Sequence, residues 1–378
     1  MAPADLDAVV VVHNADLFYF TGTLQAGTLY IPAEGKPLYM VRKDARRARQ
    51  ESALEQIVPL AGMRAIPGQL HEHGHPLPRR LGFELDVLPV AFHERFRRAF
   101  AGAQTVDASD LIRRVRMVKS GWELAQLQES ARQADAVYRR AREVIREGMT
   151  DIELAAELEH AARLSGHPGL IRMRSFNGEM MYGHVCSGPD SALPAYLDTP
   201  LGGAGPHPSF GQGAGWHRIQ AHEPIVVDNA GWAEGYWTDQ TRVFSIGELP
   251  IHLERAYEDM VRVQELMREL AAPGTNCAEL YERCLGLAHE LGYAHQFMGI
   301  EGAQASFIGH GLGIEIDEYP LIGRGGKDFE LAPGMAFAFE PKAVFAGQGA
   351  VGIENTFYLG ARGLEQITFS DESLVILG

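Results

Sequence analysis

The sequence predicts an α/β chain in two parts, a small N-terminal α/β domain and a larger domain of helices covering a largely antiparallel sheet. Three observations predict it. At roughly 150 residues per domain, a chain of 378 residues holds two. Strand-like and helical stretches alternate as far as Phe100. Beyond that, long amphipathic helices give way to strands that double back through turn residues.

Taken in order, Asp7 to Thr21 reads as a strand of four valines, a His-Asn-Ala-Asp turn and an alternating aromatic strand. Gly27 to Met40 reads as a hairpin about Ala33-Glu34-Gly35. Lys43 to Glu55 is charged, alanine-rich and helical; strand Gly82–Leu88 and helix Ala91–Phe100 follow. His71, His73 and His75 form H-E-H-G-H, better read as a solvated loop than as a metal tract. Ser120 and Glu123 make a capping box that opens a helix from Gly121 to about Glu147. A second box, Thr150 with Glu153, opens the next helix. The boundary therefore falls before the long helix, giving domains 1–115 and 116–378. Pro200 to Gly215 reads as a surface loop. Then come a hairpin at Val226–Phe244, helices His252–Ala271 and Ala278–Leu291, and a glycine-rich stretch at Ile308–Gly313. Strands around Met335–Val344 and Val351–Leu359 end the pattern.

Composition narrows the function. A net charge of −15 argues against nucleic-acid binding, which calls for a basic stripe. The N-terminal stretch lacks the basic start and apolar core of a signal peptide, and no apolar run approaches the ~20 residues of a membrane span. Three cysteines (Cys186, Cys277, Cys284) without C-x-x-C spacing point to a reduced, cytoplasmic protein.

The chemistry gathers around VVDNAGWAEGYWTDQTRVF. With its turn centred on Ala233-Glu234, Asp228 faces Asp239, and two like charges so placed call for a cation, a shared proton or a basic partner. Three further pieces can answer them: His310 between glycines in GHGLG, Glu340 ending the apolar AFAFEP, and Glu354 within VGIENTF. Charged residues in apolar strands are rarely buried without a partner. Four carboxylates and an imidazole form a hard, oxygen-rich ligand set. Their charge of −4 would neutralise two divalent ions, and such a pair generates hydroxide near neutral pH and polarises a carbonyl.

These motifs together resemble the five-ligand signature of the pita-bread metallopeptidases, in the prolidase, aminopeptidase P and creatinase branch. NADLFYFTG is similar to that branch's N-terminal domain, RRVRMVKSGWELAQLQESARQAD to its domain-linking segment, and SGPDSALP to a loop before the metal hairpin. The resemblance implies a creatinase-like N-terminal domain, a pita-bread catalytic domain and a homodimer. It implies Asp228, Asp239, His310, Glu340 and Glu354 as ligands of two divalent ions; Mn²⁺, Co²⁺, Zn²⁺ and Fe²⁺ all suit such a set, and its oxygen content favours Mn²⁺. It also implies Glu340 as the proton shuttle and a small peptide, Xaa-Pro, as substrate.

The chain departs from that pattern in places. Ala195 and Asp317 stand where the family places histidines that bond the substrate, and Gly352 and Asn355 flank the last ligand. His184 is the first candidate to replace a lost histidine, with His207, His217 and His222 as further candidates. Tyr236, Arg242 and Asp317 are expected to support the ligands from behind. Three functions follow from this reading: a two-metal Xaa-Pro peptidase, a creatinase-like hydrolase of a small non-peptide amide or amidine, and a non-catalytic binding protein. Turnover of small amides without peptides selects the second, and a metal-free native protein the third.

Overall fold

Valines 9 to 11 are buried along a continuous run, which requires a sheet covered on both faces. The computed structural model, which describes residues 5–378, supplies it. Two compact units divide the chain, Met1–Val115 with Ser175–Asn177 and Arg116–Arg174 with Gly178–Gly378. The first holds strands β1 (Ala8–Val11), β2 (Gly27–Pro32), β3 (Leu38–Val41), β4 (Ile57–Pro59), β5 (Arg80–Phe83) and β6 (Gln104–Asp107). Their order is β4-β3-β2-β1-β5-β6, with β2 antiparallel to both β1 and β3 and the other pairs parallel. Val10, Met40, Leu81 and Phe96 pack on one face, and Val9, Val11, Tyr39 and Ala48 on the other.

Helices α1 (Asn14–Thr21), α2 (Ala45–Glu51), α3 (Ile66–Glu72) and α4 (Val90–Ala99) connect these strands. Helix α1 corrects the aromatic strand expected there. Ala15, Leu17 and Thr21 turn inward, Thr21 Oγ1 donates to Leu17 O, and Gly22 at φ 72° closes the helix on Phe18 O. Packing and a left-handed cap thus override the β preference of Phe18-Tyr19-Phe20. The histidine cluster begins in a helix and runs out into a turn. His71 lies in α3 and His75 packs edge-on against Tyr30, while the three rings form no converging ligand group among the described residues. Helix α5 (Ser109–Met117) carries the chain into the second unit.

Helices α6 (Gly121–Val144) and α7 (Asp151–Leu164) begin at the two expected capping boxes, each with both reciprocal bonds formed. A four-stranded sheet follows, in the order β19 (Val375–Leu377), β11 (Thr241–Ile246), β8 (Ile225–Asn229), β7 (Gly183–Ser187). Val137, Ala141 and Leu158 of the helices cover Val185, Val227 and Phe244 of that sheet. The short ribbon β9 (Gly231–Ala233) and β10 (Tyr236–Thr238) extends the hairpin beyond it.

A five-stranded sheet runs β13 (Glu318–Gly323), β12 (Phe307–Gly311), β14 (Ala336–Phe339), β17 (Asn355–Gly360), β18 (Gly363–Gln366), every pair antiparallel. Against it pack α8 (Ile251–Leu270) and α9 (Cys277–Glu290), through Met260, Val263, Met267, Leu280 and Cys284. These residues recur every three or four positions, the stripe a covering helix needs. The expected strands Met335–Val344 and Val351–Leu359 are each broken in two, because β15 (Lys342–Phe345) and β16 (Gly349–Gly352) leave the sheet as their own ribbon. No helix among the described residues is long and apolar enough to cross a membrane.

Candidate metal centre

Pairing sets Asp228 on β8 beside His184 of β7 and opposite Thr241 of β11. The register expected from the sequence, with Asp239 facing Asp228, does not form. Ala233 pairs with Tyr236, so the turn is Glu234-Gly235, and both residues have positive φ, 48° and 93°. Tight hairpin turns demand that conformation, and glycine meets it without strain. Asp239 consequently falls in the break between β10 and β11. It is anchored there by Thr356, whose Oγ1 accepts from Asp239 N and donates to Asp239 O, each at 2.9 Å.

His310 sits in β12 with β13 and β14 on either side. Its glycine neighbours are needed for that packing: a Cβ on Gly309 would lie 2.5 Å from Ala338 O, and one on Gly311 2.0 Å from Tyr319 O. Glu340 and Glu354 occupy the two breaks where the chain leaves the five-stranded sheet, between the pairs Phe339↔Asn355 and Lys342↔Gly352. Both side chains are buried, and released from ladder geometry they turn towards His310.

His310 Nε2 lies 3.8 Å from Glu340 Oε1, 3.9 Å from Glu354 Oε1 and 4.0 Å from Asp239 Oδ2. Donors bonded tetrahedrally to one first-row ion at about 2.1 Å stand about 3.5 Å apart, and Asp239, His310 and Glu354 each offer an atom within 4.8 Å of the others, so these three fit a divalent cation, with Glu340 beside His310. On the far side of the ring, Nδ1 lies 3.1 Å from Gly311 O and 3.4 Å from Asp317 Oδ1. A carboxylate so placed orients a ligating imidazole and raises its basicity.

Lys342, which the sequence reading passes over, completes the cluster. Its side chain is 1% exposed, and Nζ lies 2.6 Å from Glu340 Oε2, 3.1 Å from Glu354 Oε2 and 3.7 Å from Asp228 Oδ2. The signal was present in AFAFEPKAVF: a residue two after Glu340 in an extended run shares its face, and a lysine among apolar strand residues needs a partner.

Burial governs the protonation of the cluster. It raises Asp228 to about 7 and Glu340 to about 8, in each case against the pull of Lys342. Asp239 is raised well above its usual range by burial, reinforced by Glu354 and Asp228. Burial disfavours a charged His310, but Asp317, Glu340 and Glu354 outweigh it and raise its pKa. Burial likewise opposes the Lys342 charge, and Glu340, Glu354 and Asp228 overcome it. His184, 5% exposed, is lowered to about 4 by burial and then by Lys342, and its Nε2 has no hydrogen-bond partner. Binding of a metal ion to the carboxylates of this cluster would release protons.

The supporting residues act on the backbone. Arg242, almost wholly buried, donates to the carbonyls of Thr241, Glu354, Ser370 and Asp371 and to Asn355 Oδ1, fixing the turn that presents Glu354. Thr241 Oγ1 donates to Glu354 Oε2 at 2.8 Å. Tyr236 Oη donates to Glu123 Oε1, at the N-terminus of α6. Ser130 and Gln133 of that helix accept from Thr238 N and Trp232 N, so α6 serves as the platform beneath the hairpin. The other loop histidines are engaged outside the cluster, His207 with Ser209, His217 with Glu223 and His222 with the carbonyl of Glu248.

A second group, His13, Asp16 and Glu84, converges in the smaller unit. Glu84 Oε2 accepts from the backbone N–H groups of Val12 and His13. Burial and then Asp16 push the Glu84 carboxyl well above its usual range, the behaviour of a carboxyl pair sharing a proton.

Comparison with known proteins places these features. The model of metallopeptidase family M24 matches residues 125–361, and that of the creatinase/prolidase N-terminal domain matches residues 1–118. A probable dipeptidase, PepE, of Mycobacterium tuberculosis is 26% identical over 393 aligned residues, covering 100% of this chain and 93% of its own. The Xaa-Pro dipeptidase of Pyrococcus horikoshii is 25% identical, with 98% and 95% covered. The solved structure of an Xaa-Pro dipeptidase from Bacillus anthracis superposes with a TM-score of 0.83 at 26% identity, covering 100% of this chain and 96% of that one.

Proposed function

The chain belongs to metallopeptidase family M24, and from that premise we propose that it hydrolyses a small Xaa-Pro peptide, a dipeptide first. One observation carries the reading: Asp239, His310, Glu340 and Glu354 converge, with Asp228 on the same cluster, in a buried setting. The dipeptidase names of the full-length relatives support the substrate class.

A divalent ion held by these residues would lower the pKa of water and polarise the scissile carbonyl. Manganese suits the oxygen-rich donors best. The protein's own groups do the rest. The Gly311 carbonyl and Asp317 orient His310 through Nδ1, and Arg242 and Thr241 hold Glu354 by its carbonyl and carboxylate. Glu340, beside His310 and Lys342, stands where the resemblance places the proton shuttle and would pass a proton to the leaving amine. His184, neutral at pH 7, offers a partner to the substrate carbonyl where Ala195 offers none. Part of this reading are a homodimer and a reducing, cytoplasmic setting, the latter supported by three buried free thiols.

The test is hydrolysis of Ala-Pro against Ala-Pro-Ala, with and without Mn²⁺, by wild type and Asp228→Asn. Mn²⁺-dependent cleavage of Ala-Pro, abolished in the variant, is the expected result. No cleavage of any Xaa-Pro peptide under any metal condition would sink the proposal.

A further inference from the structure

Glu340 and Glu354 each point their two oxygens in different directions. One oxygen of each approaches His310 Nε2, and the other approaches Lys342 Nζ. Two cation positions therefore lie side by side, bridged by the same pair of carboxylates. The first, bounded by Asp239, His310, Glu340 and Glu354, has the donors of a metal site. The second, bounded by Asp228, Glu340 and Glu354, contains a lysine ammonium.

A metal ion bonded at about 2.1 Å to the oxygens of the second position would crowd against Nζ, and cations at such separations repel strongly in a buried site. The lysine has little room to withdraw. Its stem is buried, and it pairs across the ribbon with Gly352, where even a Cβ would come within 2.9 Å of Lys342 Cγ. Charge counting agrees. Four carboxylates with Lys342 and one divalent ion leave −1, whereas a second divalent ion would make the buried cluster net positive, with His310 counted neutral.

We propose that Lys342 Nζ stands in for one of the two cations expected of this family, so that each chain binds one divalent ion, at Asp239, His310, Glu340 and Glu354. The inference rests on the metallopeptidase reading and adds a specific departure from it. Asp228 is then partner to the ammonium, and its substitution acts through Lys342 as well as through any metal.

The decisive measurement is metal stoichiometry on the full-length protein, stripped with a chelator, reloaded with Mn²⁺ and freed of excess. Counting by native mass spectrometry and elemental analysis, one ion per chain is expected in the wild type and in Lys342→Arg, and two in Lys342→Ala. The spin-resonance spectrum of the wild type should be that of an isolated Mn²⁺, without exchange coupling. Two ions in the wild type overturn the proposal and leave the metallopeptidase reading intact. No ion in folded wild type overturns both, and one ion in both wild type and Lys342→Ala removes Lys342 from the explanation. Should Lys342→Ala fail to fold, the wild-type count and spectrum still decide.

Discussion

Replacing Glu318 by Gln tests the buried ion network behind the His310 strand. Glu318 is 7% exposed; Oε1 accepts from Arg116 Nη2 and from Glu315 N, and Oε2 lies 3.1 Å from Lys119 Nζ. Arg116 Nη1 also reaches Glu315 Oε2 at 2.8 Å. Burial alone would raise this carboxyl, but Arg116 and Lys119 outweigh it and hold it at about 2, against an ordinary 4.5. That difference corresponds to about 3 kcal/mol favouring the folded state with Glu318 ionised. Because the folded pKa lies below the unfolded one, the contribution is present in full above pH 4.5 and is lost as pH falls from there towards 2. Glutamine keeps the size and loses the charge, leaving buried cations undercompensated, a defect of roughly 3–5 kcal/mol. Urea unfolding followed by tryptophan fluorescence reads the effect in the larger unit, since Trp122, Trp216, Trp232 and Trp237 all belong to it. The expected loss is about 3 kcal/mol at pH 7, shrinking to about 1 kcal/mol near pH 3 as the wild type protonates. A loss below about 1 kcal/mol at pH 7, or one indifferent to acid, would refute the argument.

The remaining predictions are smaller in scope. Ser120→Ala removes the cap of α6 and should lower the same unfolding free energy by about 1 kcal/mol, with no change in activity. Asp317→Asn removes the carboxylate behind His310; calorimetric titration should show Mn²⁺ binding weakened roughly 10–100-fold, with the melting temperature of the metal-free protein unmoved. His184→Ala should cut kcat about 100-fold while metal content and KM stay near wild type, as expected of a group acting on the transition state. A loss of metal instead would make His184 a ligand. Arg242→Met removes the donor that serves four carbonyls around Glu354, leaving Thr241 O and Glu354 O only their mutual 3.4 Å backbone bonds; urea unfolding should show a loss of roughly 3 kcal/mol.

Sequence alone determined the residue types that define the cluster. Carboxylates at the ends and kinks of apolar strands, and a histidine between glycines, announce themselves because burying such groups unpaired is costly. The two capping boxes were equally plain, since Ser120, Glu123, Thr150 and Glu153 act through bonds three residues apart that need no tertiary partner. What required the tertiary structure was everything set by pairing between distant segments. A one-residue difference in turn placement, decided by the positive φ of Glu234 and Gly235, put Thr241 opposite Asp228 and moved Asp239 into a break. Only the β7–β8 register brought His184 beside Asp228. Helix α1 replaced an aromatic strand because inward packing of Ala15, Leu17 and Thr21 and the left-handed cap at Gly22 outweigh its β preference. Lys342 lies between these cases. Its face followed from alternation after Glu340, but that its ammonium meets three carboxylates depends on two breaks and a glycine opposite, which no local pattern encodes.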